Sequence, residues 1–335
     1  MANESTSSNF STSPSDNPDY LLRQWRNQTT VICLYSISTF LAIVGNVVNL
    51  SVVPKLRNQF SANTKLLFVV LAVIDLLVGI ICSSSGITFI VFDLPDSVAL
   101  LITWTCSAFV WSSMWILTIA SIDRYIAVTR PLRYHTLFPR RRCAVAIASI
   151  ICVSFINFGG GLLHSRISGE CLPLAGICTS AIHPSFAVYY ILPFGAVIIT
   201  TYANARLLMI AQRQRRRIAV ISAMNRIMEG PMSDPGLKGL KTIVTVTLAF
   251  YVAWLPGTLA SLIPTMLEVQ VPPGVTLTVR YLIICNSWWN AIIYWIISPS
   301  YRRIALRLLG QLMIGRPELP DQTTTDNDNL SAELR

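Results

Sequence analysis

Seven apolar stretches dominate the chain, parted by short polar or basic segments. They run over about Thr30–Val53, Leu66–Val91, Leu100–Val128, Cys143–Leu163, Ser185–Ile210, Leu240–Leu262 and Val275–Ile297. Each reaches the roughly 20 residues that cross the hydrocarbon core of a bilayer as a helix. None shows strand alternation, and backbone in lipid must satisfy its own hydrogen bonds, so helices are the expected form. The fourth run is the weakest, because Asn157 and Gly159-Gly160-Gly161 interrupt its far end. Past the seventh, Ser298 to Leu309 mixes basic and apolar residues at helical spacing, the pattern of a helix lying on a membrane surface. The expected fold is an all-α membrane protein, a seven-transmembrane helix bundle plus a short amphipathic C-terminal helix, over residues 30–313. Residues 1–29 and 314–335 are too polar to pack and are expected to be disordered.

Composition agrees. The 335 residues are 53% hydrophobic and only 13% charged, against about 25% charged in soluble domains. Of 26 Lys and Arg, only Arg23, Arg26, Arg166 and Arg280 fall on the N-terminal side of this topology. Positive residues stay in the cytoplasm, so the N-terminus is expected outside. The net charge of +10 then follows from topology and anionic inner-leaflet lipid, and implies no nucleic-acid partner. No charged and apolar leader precedes the first span, which is expected to act as its own insertion signal. Asn3, Asn9 and Asn27 head glycosylation tripeptides in the outer arm. Asn49 heads a fourth, within the first span and beyond reach of a glycan. The tail carries Thr323-Thr324-Thr325 and Ser331, candidate phosphorylation sites.

Ionisable residues at membrane depth are expensive and point to function. Asp75 lies mid-membrane in the second span, where a bare carboxylate must be protonated, paired or bound to a cation. Oxygen-bearing candidates on other spans are Asn46, Ser113, Asn286 and Asn290. Asn286 and Asn290, four apart, share a helix face. At the cytoplasmic end of the third span, Asp123-Arg124-Tyr125 closes an otherwise uncharged run. In the sixth, Pro256 removes a backbone hydrogen bond and is expected to bend the helix, with Phe250 and Trp254 on the core side of the bend.

Gly45-Asn46, Leu71-Ala72-x-x-Asp75, Asp123-Arg124-Tyr125, Phe250-x-x-x-Trp254-Leu255-Pro256 and Asn290-x-x-x-Tyr294 occur in order on successive spans. Together they resemble the rhodopsin-like (class A) G-protein-coupled receptors across residues 30–313. The cytoplasmic motifs look like those of amine and trace-amine receptors. The resemblance implies a G-protein switch at Asp123, Arg124, Tyr125, Asn290, Tyr294, Phe250, Trp254 and Pro256. It also implies an allosteric sodium ion at Asp75, Ser113, Asn286 and Asn290, with no other cofactor. The ligand pocket it implies is formed by Cys106, Val110, Trp254, Thr258, Arg280 and Tyr281. Partners would be an extracellular small-molecule or lipid ligand, a heterotrimeric G protein, arrestin, a receptor kinase and membrane lipid, all at the plasma membrane. In the family's resting state the Arg is held by its neighbouring Asp, so Asp123 is expected to hold Arg124.

Several positions depart from the family pattern. The outer cysteine of the third helix is replaced by Ala99, while the second outer loop carries Cys171 and Cys178. That spacing is similar to sphingosine-phosphate and cannabinoid receptors and implies a Cys171–Cys178 bridge, with Cys106 the rival partner. Where amine receptors place an Asp, 18 residues before the Arg, stands Cys106. An unpaired ammonium would have no counter-charge there, so a simple amine is disfavoured as ligand. Ala291 replaces the proline of Asn-Pro-x-x-Tyr, and Gly236 stands where an acid often pairs with the Arg. An amine or trace-amine receptor with a non-standard pocket, and a non-signalling scaffold or scavenger, are the alternatives. A membrane enzyme is disfavoured, because His135, His164 and His183 lie at scattered loops and span ends and cannot gather at one metal. A transporter is disfavoured by the odd number of spans and the lack of a repeat between halves.

Overall fold

A computed structural model describes residues 18–56, 61–92, 94–168, 173–174, 177–178, 187–225, 245, 248–260 and 273–314. Long helices succeed one another in chain order. The first is Pro18–Val52. The second is Ala62–Leu77, continued through a π-helical turn, Val78–Ser83, into Ser84–Val91. The third is Asp96–Thr129, the fourth Arg140–Ser168 and the fifth Ala187–Asn225. The sixth is described over Leu248–Ala260. The seventh is Pro273–Ile297, followed by a final helix, Pro299–Ile314. Among the described residues five segments are long and apolar enough to cross a bilayer: Gln28–Lys55, Ala62–Thr88, Ser97–Thr129, Arg140–Leu163 and Phe194–Gln214. Their outward faces carry exposed Phe40, Ile80, Leu101, Ile156 and Ile198, as a lipid solvent allows.

The helices overrun the apolar runs that announce them. The first begins at Pro18, inside the arm expected to be disordered; proline is tolerated in a first helical turn because its missing N–H would be unsatisfied there anyway. The fifth runs on to Asn225, so Arg213 to Arg217, past the end of the apolar run, lie on helix; Arg140 to Arg142 likewise open the fourth. Water tolerates a polar helix extension that hydropathy cannot register. Nor do the three glycines break the fourth helix, which continues to Ser168. Gly161 instead admits the ring of Trp104, which a Cβ would overlap. Trp104 there stacks on Phe158 with ring centroids 5.5 Å apart.

The third helix is central, packing on the second, fourth and fifth, while the first packs on the second and seventh. Its buried residues Cys106, Ile116, Ile119 and Ala120 join Leu67, Leu71, Ile74, Val78 and Cys82 of the second in one apolar core. A second core gathers Met114, Ala196, Val197, Phe250, Ala253 and Trp254 between the third, fifth and sixth helices. Polar pairs cross-link this layer: Thr118 and Thr200 hydroxyls lie 3.0 Å apart, and Tyr251 donates to Thr201 Oγ1 at 2.6 Å. Between the fourth and fifth helices, Pro173–Leu174 pairs antiparallel with Ile177–Cys178, Pro173 opposite Cys178.

Several expectations concern residues that are not described: the acceptors Asn3 and Asn9, Cys171 of the proposed bridge, Gly236, and the tail after Ile314. Asn27 lies on the first helix and Cys178 on the short ladder, without a described side chain.

Candidate functional site

Two buried carboxylates organise the bundle interior. Asp75 is 1% exposed. Ser113 Oγ donates to its Oδ1 at 2.7 Å, and Asn290 Nδ2 donates to its Oδ2 at 3.0 Å. The second, third and seventh helices thus meet at one carboxylate, as the spacing of these residues predicts. Beside it is a cavity with about 10 Å³ open to the centre of a water molecule, lined by Asp75, Val78, Val110, Ser113, Trp254, Ile283, Asn286 and Ser287. That is room for one water or one small ion. The Nε1–H of buried Trp254 has no partner among the described residues. Asp75, Ser113 and Asn286 line this cavity with oxygen-bearing side chains, the donor type a hard cation takes. Asn290 meets the carboxylate through its N–H, so it orients Asp75 rather than offering an oxygen to an ion. Among the described residues no three His, Cys, Asp or Glu side chains gather.

The first helix joins through Asn46, whose Nδ2 donates to the carbonyls of Ala42 and Ser287, both at 2.9 Å. Asn49 donates to Asn46 Oδ1 at 3.4 Å and accepts from the Tyr301 hydroxyl at 2.6 Å. The chain of bonds therefore reaches from the seventh helix through the first to the final helix. Gly45 makes the approach possible, since a Cβ there would come within 2.8 Å of Ala291 Cβ. Ala291, in place of the expected proline, sits in that contact.

Asp123, also 1% exposed, is held differently from expectation. Thr64 Oγ1 donates to Oδ2 at 2.8 Å and Tyr134 OH to Oδ1 at 2.6 Å. Tyr134, on the short helix Tyr134–Leu137, is also within 3.0 Å of Ser61 Oγ and accepts from Asn63 Nδ2 at 3.3 Å. Ser61 in turn caps the second helix by accepting from the Thr64 N–H at 3.1 Å. Burial, and then the bond to Asp123, raise the Tyr134 phenol above its ordinary pKa, so it remains a donor at neutral pH. With both Asp123 oxygens taken from the second helix and the loop, Arg124 turns to the Phe68 ring, 5.3 Å from its centroid. No Asp123–Arg124 ion pair is present among the described residues. Thr64, Tyr134 and Phe68 were not singled out in the sequence. A Thr and a loop Tyr bear no motif, and Phe68 looks like any core aromatic.

Tyr125 packs edge-on to Tyr202 with centroids 6.0 Å apart. Phe250 and Trp254 are buried on the sixth helix with centroids 6.5 Å apart, and Pro256 follows them within the same helix. Tyr294 stacks between Phe68, at 5.0 Å, and Tyr301, at 6.1 Å.

The six expected ligand-pocket residues do not all converge. Cys106 is buried, in contact with Cys82 and 4.0 Å from Ser85 Oγ, and Arg280 is near enough to act on both thiols through its charge. Val110 and Trp254 line the cavity beside Asp75, and Thr258 Oγ1 bonds back to the Trp254 carbonyl at 2.8 Å. Tyr281 departs from this group. It faces the first helix, accepting from Ser38 Oγ at 3.1 Å, donating to the Leu34 carbonyl at 3.3 Å and packing edge-on to Tyr35. Helical phase could place it near the pocket mouth but could not decide which neighbour its hydroxyl would choose.

A helical bundle with a carboxylate-centred polar core and an Asp-Arg-Tyr end defines a class of membrane receptor, not of enzyme. The family described as "7 transmembrane receptor (rhodopsin family)" matches residues 45–294, and the chain belongs to it; it is a multi-pass membrane protein with seven transmembrane helices. Among curated relatives it is 28% identical to mouse (Mus musculus) "Probable G-protein coupled receptor 21" over 323 residues, 89% of this chain and 90% of that protein. It is 26% identical to "Trace amine-associated receptor 8b" of Rattus norvegicus over 304 residues, 85% of this chain and 88% of that one. To human (Homo sapiens) "Trace amine-associated receptor 6" it is 24% identical over 309 residues, 84% and 85% of the two chains. The resemblance to trace-amine receptors read from the motifs thus extends along most of the chain.

Proposed function

We propose that this receptor sits in the plasma membrane with its N-terminus outside and transmits the binding of a neutral or anionic small molecule or lipid to a heterotrimeric G protein. The observation that carries the ligand class is Cys106. It occupies the position where amine receptors of the family hold their Asp, and its neighbours are Cys82 and Ser85, with the positive charge of Arg280 within electrostatic range. An ammonium placed there would be desolvated without a counter-charge, and Arg280 would repel it. An anion or a neutral acceptor would meet no such penalty.

The trace-amine names among the relatives favour a second reading, an amine receptor whose ammonium is neutralised elsewhere, at Asp93 or Glu268. A nucleotide-exchange screen of the expressed receptor against amine, anionic-lipid and peptide libraries separates the two. The account expects hits among lipids or organic anions, weakened at least tenfold by Arg280→Gln. High-affinity activation by a small primary amine, unaffected by Asp93→Asn or Glu268→Gln, contradicts it.

At the other end, Asp123, Arg124 and Tyr125 form the G-protein switch, with the basic helix ends Arg140–Arg142 and Arg213–Arg217 flanking it and facing anionic lipid. Asp75, Ser113 and Asn286 would hold a sodium ion, which supplies a positive charge to the carboxylate and favours the closed bundle, while Asn290 fixes the carboxylate's orientation. A Cys171–Cys178 bridge, glycans on Asn3, Asn9 and Asn27, and recognition of a phosphorylated tail by arrestin after a receptor kinase complete the reading.

A further inference from the structure

The side chain of Arg124 has a partner no motif announces. Its guanidinium lies 5.3 Å from the centroid of the Phe68 ring. Phe68 is 4% exposed, and it also meets the Tyr294 ring at 5.0 Å. Tyr294 stacks on Tyr301, whose hydroxyl is bonded to Asn49. Tyr301 itself is buried with Val52, Leu56 and Ala305. The ring that meets the guanidinium is therefore buried and linked through two further rings and a hydrogen bond to the seventh, final and first helices. Asp123, the family's usual partner for this Arg, is occupied by Thr64 and Tyr134.

A guanidinium over an aromatic face is attracted by the ring's quadrupole, and the attraction grows as water is excluded. Phe68 supplies such a face at the point where the third helix meets the second. Any state in which Arg124 reaches towards a partner beyond the bundle must lift it off that ring.

We propose that Phe68 is a positioning residue of the switch: its ring restrains Arg124 in the ligand-free receptor, in the role the neighbouring Asp plays elsewhere in the family. The restraint rests on the G-protein reading for its consequence but not for its geometry. Leu retains most of the volume of Phe68 and removes the quadrupole, so Phe68→Leu raises ligand-free nucleotide exchange about two- to fivefold. Phe68→Tyr, which keeps the π face, stays near wild type.

The decisive version replaces Phe68 with mono-, di- and trifluorinated phenylalanine, which withdraw the ring's negative face stepwise at nearly constant shape. Exchange rising with each fluorine supports the restraint; a flat or falling series overturns it. Thermal melting of the purified receptor, without any G protein, tests the contact separately. Phe68→Leu and Arg124→Leu are expected to be non-additive, the double variant melting higher than the sum of the single losses predicts. Additive losses overturn the contact. If no variant, wild type included, drives exchange while the melting cycle stays non-additive, the Phe68–Arg124 contact is upheld and the G-protein reading is what fails.

Discussion

Asp75 shows what a single buried carboxylate demands of its surroundings. Its two bonds come from Ser113 and Asn290, and a cavity sized for one small ion lies beside it. If that cavity takes sodium, NaCl raises the melting temperature of the purified receptor more than equal KCl does, and Asp75→Asn removes the difference. Indifference of the wild type to the identity of the cation argues against the ion. Asp123 presents the complementary case. Removing the Tyr134 hydroxyl by Tyr134→Phe leaves Oδ1 of a buried carboxylate without its donor, a loss of about 1–3 kcal/mol. The melting temperature should fall and Arg124 be left competing for the freed oxygen. The partners of Asp75 were legible in the sequence because all lie on helices, where spacing fixes face. Those of Asp123 were not, because Thr64 reaches it from the first turn of the second helix and Tyr134 from the segment after the third, whose path no periodicity encodes.

At the scale of elements, the apolar runs located the helices but not their ends. The first and fifth helices extend into polar sequence, where intrahelical bonds continue in water without an apolar signal. The final helix was legible as amphipathic, but its anchor was not. Asn49 stood out only as a glycosylation tripeptide in the wrong place, whereas it accepts the Tyr301 hydroxyl at 2.6 Å and ties the final helix to the first. Arg302 adds bonds to the carbonyls of Trp295 and Ile296, at 3.3 and 3.1 Å, that end the seventh helix. Tyr301→Phe keeps the stacking and removes the hydroxyl, so it should cost about 0.5–1.5 kcal/mol. Hydrogen exchange should rise first along Pro299–Ile314; unchanged protection there would show the bond to be idle. In the loop before the fifth helix, peptide mapping without reduction should yield Cys171 joined to Cys178 and Cys106 free. Cys106 joined to either loop cysteine would refute that pairing.

For the whole molecule, the expected orientation rests on where Lys and Arg fall. It predicts that glycosidase treatment of surface-expressed receptor shifts its mass, and that Asn3→Gln, Asn9→Gln and Asn27→Gln together remove the shift. The central claim is that the Asp-Arg-Tyr end drives a G protein. The resemblance puts Gly236 where the family often has an acid to close the Arg against the sixth helix; on that reading its absence favours the open form by about 1 kcal/mol, roughly fivefold in population. The direct measurement is guanine-nucleotide exchange on heterotrimeric G proteins by purified receptor in lipid vesicles, without ligand, for wild type, Gly236→Glu and Arg124→Ala. The account predicts exchange above empty vesicles for wild type, less for Gly236→Glu and none for Arg124→Ala. Wild-type exchange equal to that of Arg124→Ala and of empty vesicles, on every G-protein class tried, would contradict it.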